Sequence, residues 1–258
     1  MKAIGVFDSG LGGISFLKEA VRLLPEESYI YFGDNKNAPY GDKSEAEINA
    51  LSLDCAYKLR DMGVKAIVVA CNTATGTAIS DIREHLSIPV VSVEPAIKPA
   101  CERPGDGKIL MLATSATTKL SRYQALKQRM IDSSRVIDVP CSGLVDRIEN
   151  GIFADDAFDD LLDGFLGAYS GEKIDAIVLG CTHYVFIKSA ITRYAKAHFE
   201  GEAKLYDGNE GTARQLDRVL REHGMRESTG VGSVCFNTSG SMEKYEPIFR
   251  MLMSCELE

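Results

Sequence analysis

Short, uninterrupted apolar runs alternate with helix-length amphipathic segments from one end of the chain to the other, and few folds accept that pattern. "KAIGVF" (2–7), "SYIYFG" (28–33), "AIVVA" (66–70), "PVVSV" (89–93), "KILMLA" (108–113), "RVIDV" (135–139), "AIVLG" (176–180), "KLYD" (204–207) and "VGSVCF" (231–236) read as strands. A strand that is apolar on both faces must be covered on both. Parallel sheets flanked by helices supply that cover, because each crossover lays a helix on a face. The intervening segments fit. A helix follows Gly12 and Gly13 and ends at Pro25. Ser44 and Glu47 form a capping box that opens a helix with Ile48, Leu51, Cys55, Leu59 and Met62 on one side, stopping at Gly63.

The two halves resemble each other. "KAIGVFDSG" (2–10) aligns with "KILMLATSA" (108–116), "AIVVACNTA" (66–74) with "AIVLGCTHY" (176–184), and "VVSVE" (90–94) with "AKLYD" (203–207). The matches occur in order and include a cysteine in the same place. A length of 258 residues admits one large or two small domains. We read two similar α/β domains with parallel sheets, produced by duplication and related by a pseudo-two-fold axis.

Composition removes several function classes. The net charge of −8 argues against nucleic acid or an anionic membrane as the main partner, so any anion site must be built locally. "MKAIGVF" is too short for a signal-peptide core, and no apolar run approaches the roughly 20 residues of a membrane helix. Seven cysteines, an odd number spread evenly and without a CxxC pair, fit neither a disulfide framework nor a structural zinc site. The expectation is a cytoplasmic protein with reduced thiols, no metal and no cofactor. "DSGLGG" lacks the G-x-G-x-x-G spacing and the P-loop lysine of nucleotide sites, and no lysine stands in a clear pyridoxal-phosphate context.

In parallel α/β sheets, ligands bind beyond the carboxyl ends of the strands. Asp8-Ser9-Gly10, Asp34, Cys71-Asn72-Thr73, Thr114-Ser115, Cys181-Thr182-His183 and Asp207 stand there. If the domains face each other, Cys71 and Cys181 project into one cleft from opposite sides. A following helix N-terminus is expected to lower a thiol's pKa toward neutrality. Opposed thiols suit inversion of a stereocentre: one thiolate removes a proton from carbon, and the other thiol returns one to the opposite face. His183 and Asp8 or Asp34 are placed to manage protons. A carboxylate beside Cys71 raises its pKa, so Asp8 is better cast as a proton acceptor or as the partner of a substrate ammonium. The motif positions hold few cations, with Lys43 the exception. Carboxylates of a substrate are therefore expected to bind backbone N–H groups, Asn72, Thr73, Thr182 and the Thr114–Thr117 turn.

"FDSGLGG" (7–13), "NAPYGDK" (37–43), "ACNTAT" (70–75), "EPAIKPA" (94–100) and "LGCTHY" (179–184) together closely resemble the bacterial glutamate racemases of the cofactor-independent aspartate/glutamate racemase family. The resemblance implies an isomerase that interconverts L- and D-glutamate and supplies D-glutamate for peptidoglycan. It implies Cys71 and Cys181 as the acid/base pair, the first acting on the D-enantiomer and the second on the L-enantiomer. It implies substrate contacts from Asp8, Ser9, Tyr40, Gly41, Asn72, Thr73, Thr182 and His183, with Asp34, Glu149 and His183 in auxiliary positions. It also implies that the chain after about residue 207 returns to the first domain, giving domains of 1–95 with 208–258 and of 96–207. Two departures stand out: Val185 replaces the usual proline after "CTHY", and "CSGLVDR" before Glu149 lacks the usual proline-rich approach. A homodimer is compatible with the resemblance, although no exposed stripe identifies its interface. The competing readings are racemisation of aspartate or a related acid, a non-catalytic dicarboxylate-binding protein, and a nucleotide-binding domain.

Overall fold

A computed structural model describes residues 2–255. The strands are β1 (Ile4–Asp8), β2 (Tyr29–Gly33), β3 (Ala66–Val69), β4 (Val90–Ser92), β5 (Lys108–Ala113), β6 (Val136–Pro140), β7 (Ile174–Leu179), β8 (Lys204–Tyr206) and β9 (Val234–Thr238). They form a five-stranded sheet, β4-β3-β1-β2-β9, and a four-stranded sheet, β6-β5-β7-β8. Every pairing is parallel. Read from its far end, the second sheet runs β8-β7-β5-β6 and matches β4-β3-β1-β2 strand for strand. The segments aligned in sequence thus hold the same places in the two sheets. β9 is the addition that breaks the match.

The period-two alternation of a strand explains the unbroken apolar runs. Ile4 and Val6 of β1 pack with Tyr31, Val68, Leu216 and Phe249 on one face. Phe7 packs with Phe32, Ile67, Val69, Cys55 and Leu59 on the other. β5 divides likewise: Leu110 and Leu112 join one core, Ile109 and Met111 the other. Helices therefore cover four sheet faces, and each buried leucine or isoleucine contributes about 1.5–3 kcal/mol.

Local signals match the helix ends. Ser44 accepts from the Glu47 N–H at 3.3 Å, and the Glu47 carboxylate accepts from the Ser44 N–H at 3.1 Å. The helix Glu45–Asp61 ends where Gly63 takes φ +79°. Its buried stripe is Ile48, Ser52, Cys55, Ala56 and Leu59; Met62, expected on that stripe, caps the helix and is 45% exposed. The last strand also lies further on than expected. Gly232 is pressed so closely on Glu27 that a Cβ would sit 1.9 Å from its carbonyl oxygen, so pairing with β2 begins only at Val234↔Tyr29. As an edge strand, β9 then tolerates the polar Asn237 and Thr238.

The strand order places the site. β1 lies between β2 and β3, so the crossovers leaving β1 and β3 run in opposite directions, and their loops splay apart at a topological switch point. β5 and β7 repeat this. "DSG" after β1, "CNT" after β3, "TSA" after β5 and "CTH" after β7 are therefore the four loops that can frame a ligand. Among the described residues no helix is long and apolar enough to cross a membrane.

Candidate active site

A narrow pocket opens where these loops meet, lined by both strand-end thiols. Ser9, Tyr40, Gly41, Cys71, Asn72, Thr73, Thr114, Cys181, Thr182 and His183 all line it, with Pro39 and Val145, which sequence reasoning did not single out. Asp8, Asp34, Glu149 and Thr117 are set back by one hydrogen bond. Asp8 accepts from Thr182 at 3.0 Å, Asp34 from the Tyr40 hydroxyl at 2.7 Å, and Glu149 bonds His183 at 2.6 Å. Thr117 lies 3.0 Å from Thr73 and 2.9 Å from Thr114. A wider groove lined by Lys18, Arg83, Lys188 and Asp207 contains neither strand-end thiol, so size does not select the site here.

Cys71 is the N-cap of the helix Asn72–His85, and its sulfur accepts from the Ala74 N–H at 3.4 Å. Its thiol donates to Ser9 Oγ at 3.6 Å. The expectation of a lowered pKa is overturned. Burial, then the Asp8 charge, push Cys71 up to about 12, and the Ala74 and Ser9 contacts only partly oppose them. The helix end favours the thiolate, but at 5% exposure the loss of hydration outweighs it. Burial likewise holds Asp8 above the ordinary carboxylate range, against His183, the Gly10 N–H and Thr182.

Cys181 is built differently. It precedes a short 3₁₀ helix, Thr182–Ile187, and makes no side-chain cap. Its partner is His183, with Sγ 3.7 Å from Nδ1, and His183 Nε2 lies 2.6 Å from Glu149 Oε1. Burial pulls His183 down, but its bonds to Cys181 and Glu149 outweigh this and hold it well above the usual histidine range. Burial would raise Glu149, yet His183, the Leu11 N–H and Asn35 hold it below the ordinary value. The two form a buried ion pair. The Gly12 N–H also lies 3.2 Å from Nε2. A nitrogen that donates to Glu149 has no lone pair left for it, so this is a close approach and not a second bond.

The glycines of "DSGLGG" permit that approach. A Cβ on Gly10 would lie 2.0 Å from Glu149 Oε1, and one on Gly12 would lie 2.3 Å from His183 Nδ1. Backbone of the first sheet's loop thereby reaches acid/base groups carried by the second. On the opposite wall Thr73, Thr114 and Thr117 bring three hydroxyls within 3.1 Å of one another. Among the described residues Asn72 Oδ1 is buried without a hydrogen-bond partner. The other cysteines are scattered: Cys55, Cys101 and Cys141 are buried, Cys255 is half-buried and Cys235 is exposed.

The profile of the Asp/Glu/Hydantoin racemase family matches residues 4–216. A glutamate racemase of Clostridium botulinum is 44% identical over 234 residues, 90% of each chain. The structure of glutamate racemase from Thermus thermophilus in complex with β-chloro-D-alanine is 35% identical, with a TM-score of 0.80 over 100% of this chain and 94% of that one. Glutamate racemase from Francisella tularensis in complex with D-glutamate is 30% identical, with a TM-score of 0.83 over 100% of this chain and 95% of that one.

Proposed function

The chain belongs to the Asp/Glu/hydantoin racemase family, and from that premise we propose that it interconverts L- and D-glutamate, one of Cys71 and Cys181 removing the α-proton and the other delivering a different proton to the opposite face. It is an amino-acid racemase, an isomerase. The observation that carries the two-thiol reading is that Cys71 and Cys181 line one narrow pocket between the two sheets' loops. One thiolate takes the α-proton, breaking C–H and forming S–H. The planar carbanion then takes a proton from the other thiol on its opposite face, and the product leaves with the protonation of the two sulfurs exchanged.

The remaining residues divide by charge. Asp8 and the unpartnered Asn72 Oδ1 are acceptors suited to the substrate ammonium. That ammonium offsets the Asp8 charge which helps hold the proton on Cys71. The threonine hydroxyls and nearby backbone N–H groups are donors suited to a carboxylate. On the other face, His183 presents a cation to the charge that proton transfer creates at Cys181 Sγ, with Glu149 behind it. Asp34 acts through Tyr40.

The reaction run in D₂O from L-glutamate tests this. The D-product should carry solvent deuterium at the α-carbon from its first appearance, while remaining L-glutamate gains little. Labelling of the substrate pool as fast as product forms would overturn the two-base reading. Activity should persist after dialysis against chelator with no pyridoxal phosphate added.

We further assign residues 1–95 with 208–258 to one domain and 96–207 to the other. The place of action we propose is the cytoplasm, where a reducing environment keeps both thiols free and D-glutamate enters peptidoglycan synthesis. A homodimer is the proposed assembly, checked by sedimentation.

A further inference from the structure

The Glu149 carboxylate is itself held by groups that lie outside every motif. The chain of bonds begins at the end of β9. The Gly240 N–H donates to Thr238 Oγ1 at 3.0 Å, the Thr238 hydroxyl donates to Asn35 Oδ1 at 2.6 Å, and Asn35 Nδ2 donates to Glu149 Oε2 at 2.8 Å. The direction of each bond is forced. The ionised Glu149 carboxylate can only accept, so the Asn35 NH₂ faces it and the Asn35 oxygen faces Thr238. Thr238 must then donate its single hydrogen to Asn35 Oδ1, while its own oxygen accepts the Gly240 N–H. With the amide reversed, a carbonyl would face Glu149. Asn35 is 6% exposed, so water offers little substitute. Gly33 makes room for it: a Cβ there would lie 2.5 Å from Asn35 Oδ1.

We propose that Asn35 and Thr238 are positioning residues for the Glu149–His183 pair that serves Cys181, with Thr238 holding the Asn35 amide in place through its bond to Oδ1. The inference rests on the racemase reading for its catalytic consequence, but the arrangement of bonds stands apart from it. The titratable groups around Glu149 are His183, Asp8 and Tyr31; those around His183 are Cys181, Glu149 and Asp8. Tyr31 donates to the Gly10 carbonyl and Asp8 accepts from Gly10 and Thr182. Neither supplies Glu149 Oε2 with a hydrogen, so Asn35 is its donor.

The test compares the full-length parent with Thr238→Val, which keeps the shape and removes the hydroxyl, and with Thr238→Ser, which keeps the hydroxyl. In ¹⁵N-histidine-labelled protein, the His183 ring should lose its proton at lower pH in Thr238→Val than in the parent, because a less well-held carboxylate supports the imidazolium less. Thr238→Ser should restore the parent midpoint. With a glutamate analogue bearing a β leaving group, α-proton loss expels that group, so each enantiomer reports one thiol. Thr238→Val should slow elimination from the L-analogue roughly tenfold, the scale of a weakened bond to a charged group, while the D-analogue reacts at close to the parent rate. Should Thr238→Val fail to fold, Asn35→Leu removes the donor without adding a charge and should move the midpoint the same way. A parental His183 midpoint in the folded variant overturns the proposal. Absence of racemisation in the parent overturns the activity reading, and the ring titration still decides the positioning role.

Discussion

Cys71 and Cys181 end equivalent strands, β3 and β7, in two copies of one strand order, yet their surroundings are made of different things. Cys71 caps a helix of 14 residues and touches a neutral hydroxyl, with a carboxylate near enough to oppose its ionisation. Cys181 has no helix cap and instead meets a histidine–glutamate ion pair. The two sheets thus supply equivalent positions, while the chemistry is built separately on each side. The substrate gives a physical reason. Its ammonium and carboxylates do not share the protein's pseudo-symmetry, so the two faces of the α-carbon see different charges. In the proposed mechanism the substrate's own ammonium offsets Asp8 on one side, and His183 supplies the cation on the other.

Removal of either sulfur tests the shared part of this comparison. Cys71→Ser and Cys181→Ser should each lower racemisation by several powers of ten, about 4 kcal/mol or more, because a hydroxyl's pKa is far out of range. The two variants should then part company. Cys71→Ser should still eliminate from the L-analogue, and Cys181→Ser from the D-analogue, in a stopped assay for the released group. Near-normal racemisation in either would break the comparison at its root.

The unshared part is probed by Glu149→Gln. Loss of the carboxylate removes one of the two contacts that raise His183, so the alkaline limb of kcat/KM should move to lower pH. The rate should fall about 10–100-fold, the range for a bond between charged groups. An unchanged limb in a pH–rate profile would mean that the ion pair does not serve Cys181. Thr73→Ala touches neither sulfur and opens the threonine cluster. We expect KM for glutamate to rise about tenfold with the melting temperature nearly kept; parental kinetics would remove the cluster from substrate binding. The smallest effect belongs to Ser9→Ala. Its 3.6 Å contact with Cys71 is long and neutral, so a change of about threefold or less is expected in steady-state rates. A loss rivalling that of Glu149→Gln would show that the Cys71 side has its own essential helper after all.

Much of this molecule was legible because its signals are local. Apolar runs gave the strands, the Ser44–Glu47 box a helix start, and repeated cysteines the switch points of both sheets. The sequence was silent where a role depends on a distant partner. Glu149 drew no attention from its own surroundings in "RIENG" and entered only through the resemblance; its role depends on Leu11, Asn35 and His183, none nearby in sequence. "NTSG" at 237–240 reads as a polar turn after an edge strand. Only the pairing of β9 with β2 sets Thr238 and Ser239 beside Asn35 and Asp34. The thiol of Cys71 was misjudged for a related reason: the helix N-terminus is visible in the sequence, whereas the depth of burial that outweighs it is not.

The threonine cluster has a consequence for what the cavity admits. Three hydroxyls joined pairwise form a closed ring, with three hydrogens already serving three bonds. A guest group must open that ring to be held by it. A carboxylate recoups the loss, since bonds to an anionic oxygen are roughly twice as strong as those between neutral groups. A carboxamide of the same shape replaces neutral bonds with neutral bonds and brings an NH₂ that needs an acceptor of its own. The ring therefore screens by charge without containing any, and glutamine, nearly isosteric with glutamate, should be turned away.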